Sequence, residues 1–217
     1  MNIRIIFLSV VLIFCSVFTV FGQTKLMYSA AIKGGISKPN TLNRAYIYDD
    51  NGYIVRDKLK FTLADIQYYG PMISAEVSII EKIKDWKISF EQGLGIESKT
   101  FYGGVAEWFD TEGEYEGYKA SHYSFTIPVK VRYEPTKWAA LYVGANNIFN
   151  VYQSDGKNIK PTQKYNVRGI AGFDFKLSDK YLLGCEYGYD ISPFSKWKDY
   201  DVSYRFDIIT MKLGLVF

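Results

Sequence analysis

The sequence predicts an all-β protein, an eight-stranded antiparallel up-and-down transmembrane β-barrel. Three observations carry that expectation. Apolar and polar residues alternate with period two in one segment after another, short and long connections alternate between those segments, and aromatic residues gather at the segment ends. A period of two puts successive side chains on opposite faces of a strand, so a segment that alternates has one oily and one polar side.

The clearest segment is "HYSFTIPVKVRYE". Tyr123, Phe125, Ile127, Val129, Val131 and Tyr133 share one face, and Ser124, Thr126, Lys130, Arg132 and Glu134 the other. Around it, "GPMISAEVSII" opposes Ile73, Ala75, Val77 and Ile79 to Ser74, Glu76 and Ser78, while "WKISFEQGLGIE" opposes Ile88, Phe90, Leu94 and Ile96 to Ser89, Glu91 and Gly95. "YNVRGIAGFDFKL" sets Val167, Ala171, Phe173, Phe175 and Leu177 against Arg168, Gly172, Asp174 and Lys176. "YLLGCEYGYDI" sets Leu183, Cys185, Tyr187 and Tyr189 against Gly184, Glu186, Gly188 and Asp190. Residues 26–37, 141–152 and 203–217 complete eight strands, an even number as a single-chain bacterial barrel requires.

The linkers "IKDW", "EPTKW" and "LSDKY" are tight turns, whereas residues 38–67, 99–120, 154–164 and 192–202 form long connections. Strict alternation of the two kinds puts all turns at one end of the barrel and all loops at the other. Trp86, Tyr133, Trp138, Tyr181 and Phe217 fall at the turn end, and Tyr68, Tyr69, Tyr123, Phe149, Tyr152, Tyr189 and Tyr204 at the loop end, as two membrane girdles would. A soluble sandwich would bury the same rings. The polar face argues against it, because Glu76, Glu91, Asp174 and Glu186 stand there with Lys130, Arg132, Arg168, Lys176 and Lys212. Four acids against five bases read as a sealed, ion-paired interior, and eight strands leave room for side chains and little else.

The first residues assign a compartment. Residues 1–22 carry Arg4, an apolar run, and then Val20 and Gly22 where a signal peptidase favours small residues, so residues 1–22 are expected to be a signal peptide and residues 23–217 the barrel domain. An uncleaved N-terminal anchor is the alternative; a lipoprotein at Cys15 is disfavoured by the bulky Phe14 before it. The length of 217 residues suits one domain. A formal net charge of +3, or +2 once Arg4 leaves, gives no reason to expect nucleic acid as a partner. With Cys15 removed, Cys185 has no internal disulfide partner, and a single histidine, His122, makes a zinc centre untenable. No cofactor, metal or catalytic residue is expected.

"YSFTIPVKVRYEP", "LYVGANNIFNVY", "VRGIAGFDFKLSDKYLLGCEYGYDIS" and the earlier "ISAEVSIIEKIKDWKISFEQGLGIESK" together resemble the outer-membrane β-barrel domain family that includes the PorT-like proteins. The Ile127-Pro128 pair is the most specific element of the likeness. The resemblance implies a barrel in the cell outer membrane, in contact with its lipid, and for some members a part in protein secretion across that membrane. It also implies that a final strand with a terminal aromatic, here Ile209, Met211, Leu213, Leu215 and Phe217, is the signal read by the barrel-assembly machinery. Those residues project to lipid, while Thr210, Lys212 and Gly214 project inward, so the last strand is expected to close against the first.

Proline cannot donate to a ladder and a closed barrel has no edge, so Pro128 predicts a strand bulge or a locally missing hydrogen bond. His122 and Ser124 share a strand face, which resembles the His-x-Ser spacing of lipid A deacylases; both face inward, away from any lipid substrate, and Glu134 lies about 33 Å along the strand. Asp110, Glu112, Glu114 and Glu116 could be read as a calcium loop, but their spacing is not that of an EF-hand, and a solvated loop is expected. Asn51-Gly52 within residues 45–57 predicts a hairpin, either above the membrane or as two further staves of a ten-stranded barrel. Tyr- and Trp-rich connections, with Trp108 and Trp197, suggest a partner-binding surface or interface anchors. The function expected is a structural or interaction scaffold meeting a protein partner through its loops or turns; a narrow channel and a lipid-modifying enzyme are the alternatives.

Overall fold

The computed structural model describes residues 24–41, 69–83, 86–107, 114–154, 164–192, 195–196 and 203–217. Residues 1–22, expected to be a signal peptide, and residues 45–57, expected to be a hairpin, lie outside these, as do Tyr68, Trp108, Asp110, Glu112 and Trp197. The strands are β1 (Thr24–Thr41), β2 (Gly70–Ile83), β3 (Ile88–Glu107), β4 (Glu114–Tyr133), β5 (Ala139–Ser154), β6 (Tyr165–Lys176), β7 (Tyr181–Asp190), β8 (Ser195–Lys196) and β9 (Ser203–Val216). β1 to β7 pair antiparallel in chain order, β7 pairs with β9, and β9 pairs with β1, so the sheet closes. The two residues of β8 pair with the start of β9 beyond the end of β7 and prolong that stave. Eight staves therefore form the wall among the described residues, in the order the chain makes them.

The stagger of the barrel follows from the register. One circuit of paired residues runs Met27, Ile80, Glu91, Lys130, Gly144, Ile170, Gly188, Ile208 and returns to β1 at Ser37. A displacement from Met27 to Ser37 over eight strands gives a strand tilt of about 40° and a backbone radius of about 8 Å at ordinary strand spacing and rise. Such an interior is filled by side chains alone.

The outward residues are those the alternation predicts. Ile32, Ile73, Val77, Leu94, Ile96, Phe125, Val143, Met211 and Leu213 are exposed all round the wall, whereas Lys33, Glu76, Glu97, Lys130, Arg132, Asp174 and Lys212 are buried. A protein in water rarely exposes more than a few hundred Å² of contiguous apolar surface. Here the whole belt is apolar. Trp86, Tyr133, Trp138, Tyr181 and Phe217 border it at the turn end and Tyr69, Tyr123, Tyr152 and Tyr189 at the loop end, all exposed. Along β4, Tyr123 and Tyr133 lie roughly 25 Å apart along the barrel axis at this tilt. That equals the apolar band of a transmembrane barrel.

One feature departs from the sequence reading. Residues 99–107 and 114–120 are not a free connection: β3 and β4 remain paired from Lys99↔His122 to Glu107↔Glu114. Phe101, Tyr102, Val105, Tyr115 and Tyr118 are good strand formers, and the glycines and acids between them gave the segment its loop-like composition. Glu114 and Glu116 therefore sit in β4.

Pro128 faces inward and is buried. The β4–β5 register passes it unshifted as Pro128↔Asn146, and the register shift in that pair lies instead at Tyr123/Ser124. There Val151 is the extra residue, and Val151 and Tyr152 are consecutively exposed, as a bulge allows. On the β3 side the ladder resumes in the same register but skips Gly93 and Leu94 opposite Pro128 and Ile127. The Ile127 carbonyl accepts from Asn147 Nδ2 on β5 at 3.1 Å, so the next residue along turns its backbone toward β3, where proline has no donor to offer.

Candidate functional site

The chemistry of this chain is concentrated inside the barrel. Eight charged side chains form one line of alternating sign: Glu186, Lys33, Glu76, Lys130, Glu91, Arg132, Asp174 and Lys212. Lys33 Nζ lies 2.9 Å from Glu186 and 2.8 Å from Glu76; Lys130 Nζ lies 2.5 Å from Glu76 and 2.9 Å from Glu91. Arg132 joins Glu91 at 2.5 Å to Asp174 at 2.8 Å, and Lys212 ends the line 2.6 Å from Asp174. The eighth stave, β5, contributes Tyr142, whose hydroxyl donates to Glu186 Oε2 at 3.1 Å. Its ring lies beneath Lys130, Arg132 and Lys212, with the cationic groups 4.9 to 5.7 Å from the centroid. Every stave is thereby tied to the same network.

Small residues make room for these long side chains. A Cβ at Gly172 would stand 2.5 Å from the Tyr142 hydroxyl, and one at Gly188 would stand 2.6 Å from Arg168 Cδ. Neither position tolerates a side chain without moving the group it shelters.

Toward the loop end a second cluster closes on itself. Arg168 binds Glu97 through both terminal nitrogens, at 2.6 and 3.0 Å, and Asp190 through Nε at 2.8 Å. Lys99 lies 3.7 Å from Glu97 and 4.0 Å from Asp190, and stands over the Phe206 ring at 4.2 Å. At the turn end Glu134 takes Lys82 at 2.6 Å and Lys176 at 3.9 Å. Burial pushes the Glu134 carboxyl up, and the Lys82 hydrogen bond with the Lys176 charge outweighs it, so its pKa is held below the ordinary value. Between the two main clusters lies a cavity of about 10 Å³ lined by Lys33, Glu76, Glu97, Asn146, Arg168 and Glu186. It has room for about one water.

His122 and Ser124 are both buried on the inward face, and the Ser124 hydroxyl donates to Asn150 Oδ1 at 2.8 Å. A nucleophile would give that proton to a base, and a lipid substrate on the belt has the wall between itself and both residues. Among the described residues no group of three or more His, Cys, Asp or Glu is placed to hold a metal. Phe217 is exposed and exchanges two backbone hydrogen bonds with Tyr28, at 2.8 and 3.2 Å, while Ile209, Met211, Leu213 and Leu215 face outward on β9. The strand therefore closes against β1 down to Phe217.

The sequence reading placed Glu76, Glu91, Lys130, Arg132, Asp174, Glu186 and Lys212 in the interior, and they meet there. It did not enlist Lys33, Glu97, Lys99 or Tyr142. Lys33 was marked by its place between outward Ile32 and Gly34, and Glu97 by its parity with Glu91; Tyr142, flanked by Leu141 and Val143, had no polar neighbour to betray its direction.

A closed barrel with an apolar belt roughly 25 Å tall, aromatic borders and a polar filling is of the outer-membrane type, and the cell outer membrane is where this chain resides. No family model matches the chain, and no curated protein matches it. Among solved structures it is similar to Neisserial surface protein A, NspA, at 10% identity with a TM-score of 0.45, over 88% of this chain and 98% of that one. It is similar also to Ail of Yersinia pestis in complex with the heparin analogue sucrose octasulfate, at 11% identity and a TM-score of 0.38, over 88% and 99% of the chains. The outer membrane protease OmpT from Escherichia coli aligns at 8% identity and a TM-score of 0.39, over 88% and 96%.

Proposed function

We propose that this barrel is a membrane-embedded structural or interaction scaffold, acting through the surfaces it presents at its two rims and not through its lumen. One observation supports the reading above others: the interior is filled by ion pairs drawn from seven of the eight staves, with Tyr142 of the eighth bonded to Glu186, and the cavity between the clusters is about 10 Å³. A hydrated ion needs a continuous water path, and side chains locked by several charge-assisted hydrogen bonds do not step aside at thermal cost. In planar bilayers the purified protein is expected to be electrically silent over a range of voltages. Discrete conductance steps would sink the scaffold reading and restore that of a narrow channel.

The narrower role, an accessory to protein secretion across the outer membrane, follows from the PorT-like resemblance. Photo-crosslinking from the long loops and from the turns identifies the neighbour; capture of a secretion component from either rim supports that role. The reading is of a protein without enzymatic activity. His122→Ala is expected to leave lipid A acylation unchanged, and an altered acylation pattern would assign the chain to the lipid-modifying enzymes instead.

Assembly belongs to the same proposal. Ile209, Met211, Leu213, Leu215 and Phe217 form the strand that the barrel-assembly machinery reads. Phe217→Ala is expected to lower the amount of heat-modifiable protein in the outer-membrane fraction. Normal levels of that variant would remove Phe217 from the signal.

A further inference from the structure

Lipid tails give a polar side chain nothing to bond, and an amide held in an apolar medium without a partner is costly. Among the described residues, two side-chain amides stand on the outward face within the belt. Asn147 on β5 is satisfied inside the wall: its Nδ2 donates to the Ile127 carbonyl at 3.1 Å, and its Oδ1 accepts from the Tyr165 hydroxyl at 2.7 Å. Gln92 on β3 is exposed, and its side chain has no hydrogen bond to any other described residue.

Depth keeps Gln92 from water. It pairs with Val129, which lies between the two border tyrosines of β4, Tyr133 and Tyr123. At the tilt of the wall this places Gln92 roughly 10 Å from the turn-end border and roughly 15 Å from the loop-end border. Glutamine lacks the long stem by which lysine or arginine reaches such a border from within the bilayer. A partner for the amide therefore has to come from beside it in the membrane.

A second copy of the same chain, inserted the same way, carries Gln92 at the same depth. A two-fold axis along the membrane normal then sets a residue near the axis against itself. A glutamine amide is its own complement, because Oε1 accepts while Nε2 donates, so two of them can exchange a reciprocal pair of hydrogen bonds. The surroundings suit that contact. Ile79 and Val129 flank Gln92 across the sheet, Phe90 and Leu94 flank it along β3, and Val77 and Val131 stand beside these. Val77, Ile79, Leu94 and Val131 are exposed. None of the six is charged, so a face that meets its own copy brings no like charges together.

We infer that Gln92 is the centre of a face through which two copies of this barrel associate within the membrane, the amide of one bonded to the amide of the other. The inference concerns the lipid-facing belt and goes beyond the reading of the rims. Conductance of the barrel would strike that reading and leave this one in place.

The test uses the full-length barrel. By sedimentation equilibrium in density-matched micelles the wild type is expected to dimerise, and Gln92→Leu is expected to raise the dimer dissociation constant about tenfold, the value of the two hydrogen bonds lost. Leucine suits a lipid face, and heat-modifiable migration of the same samples reports the fold of the variant. In the outer membrane of cells, a photo-crosslinking residue in place of Leu94 is expected to give a band of twice the barrel's mass. The same residue in place of Leu183, on β7 and on the opposite side of the wall from β3, is expected to give none. A wild type that stays monomeric, undiminished association of Gln92→Leu, or a band of twice the mass from position 183 and not from position 94 overturns the inference. So does a band from position 94 at another mass alone, which seats a different protein on the face.

Discussion

Arg168→Met is expected to destabilise the barrel by about 3–5 kcal/mol, the usual cost of removing one member of a buried, hydrogen-bonded charge pair. Among the described residues Arg168 grips both Glu97 and Asp190 at close range, with contacts of 2.6 and 2.8 Å. Methionine nearly matches its length but leaves two buried carboxylates facing Lys99, which lies 3.7 and 4.0 Å away. The measurement is the urea midpoint of the refolded protein in micelles or vesicles. Adding Glu97→Gln to the variant removes one of the stranded charges, so the double variant is expected to recover part of the loss. A double variant no more stable than Arg168→Met alone would show that packing, and not charge, sets the cost.

Val143→Arg tests the other face of the wall. Val143 lies midway along the belt, paired with Val131 and Ala171 and 62% exposed. In lipid an arginine near the bilayer midplane costs about 2–4 kcal/mol, falling to about 0–1 near the interface. Thr136→Arg, in the turn between β4 and β5, is the matching control and is expected to be nearly neutral. On a surface bathed in water both substitutions would fall within about 0.5 kcal/mol of wild type. Equal effects at the two positions would therefore take the belt out of the membrane.

The fold was legible because a barrel in lipid states its rule at every second residue. In β4 the rule holds from Tyr123 to Tyr133 without a break, so one strand assigns inside and outside for the whole sheet. The interior network was readable wherever a charge sat between two apolar residues, as with Glu76, Lys130 and Asp174. It was unreadable at Tyr142, because an aromatic ring belongs equally well to a lipid face and to a cation-lined lumen. Strand length was the harder matter. The extension of β3 to Glu107 rests on pairing between two segments rich in glycine and glutamate, and composition alone favours a loop there. The bulge at Val151 left no mark either, since Val151 and Tyr152 both look like ordinary strand residues. At Pro128 the sequence shows only that one backbone donor is missing; on which side of the strand it is missing depends on the pairing.

A wall without edges can still have a fault line. The joint between the first and last strands runs unbroken from Ser29↔Val216 to Thr41↔Tyr204 and is fastened again at Tyr28 and Phe217, so closure leaves no mechanical weakness behind. The gap lies elsewhere, at Gly93 and Leu94 beside Ile127 and Pro128, within the lipid-covered height of the wall. At that height Pro128 has no N–H to give β3, so the two strands are held there with one backbone donor fewer than an unbroken ladder supplies.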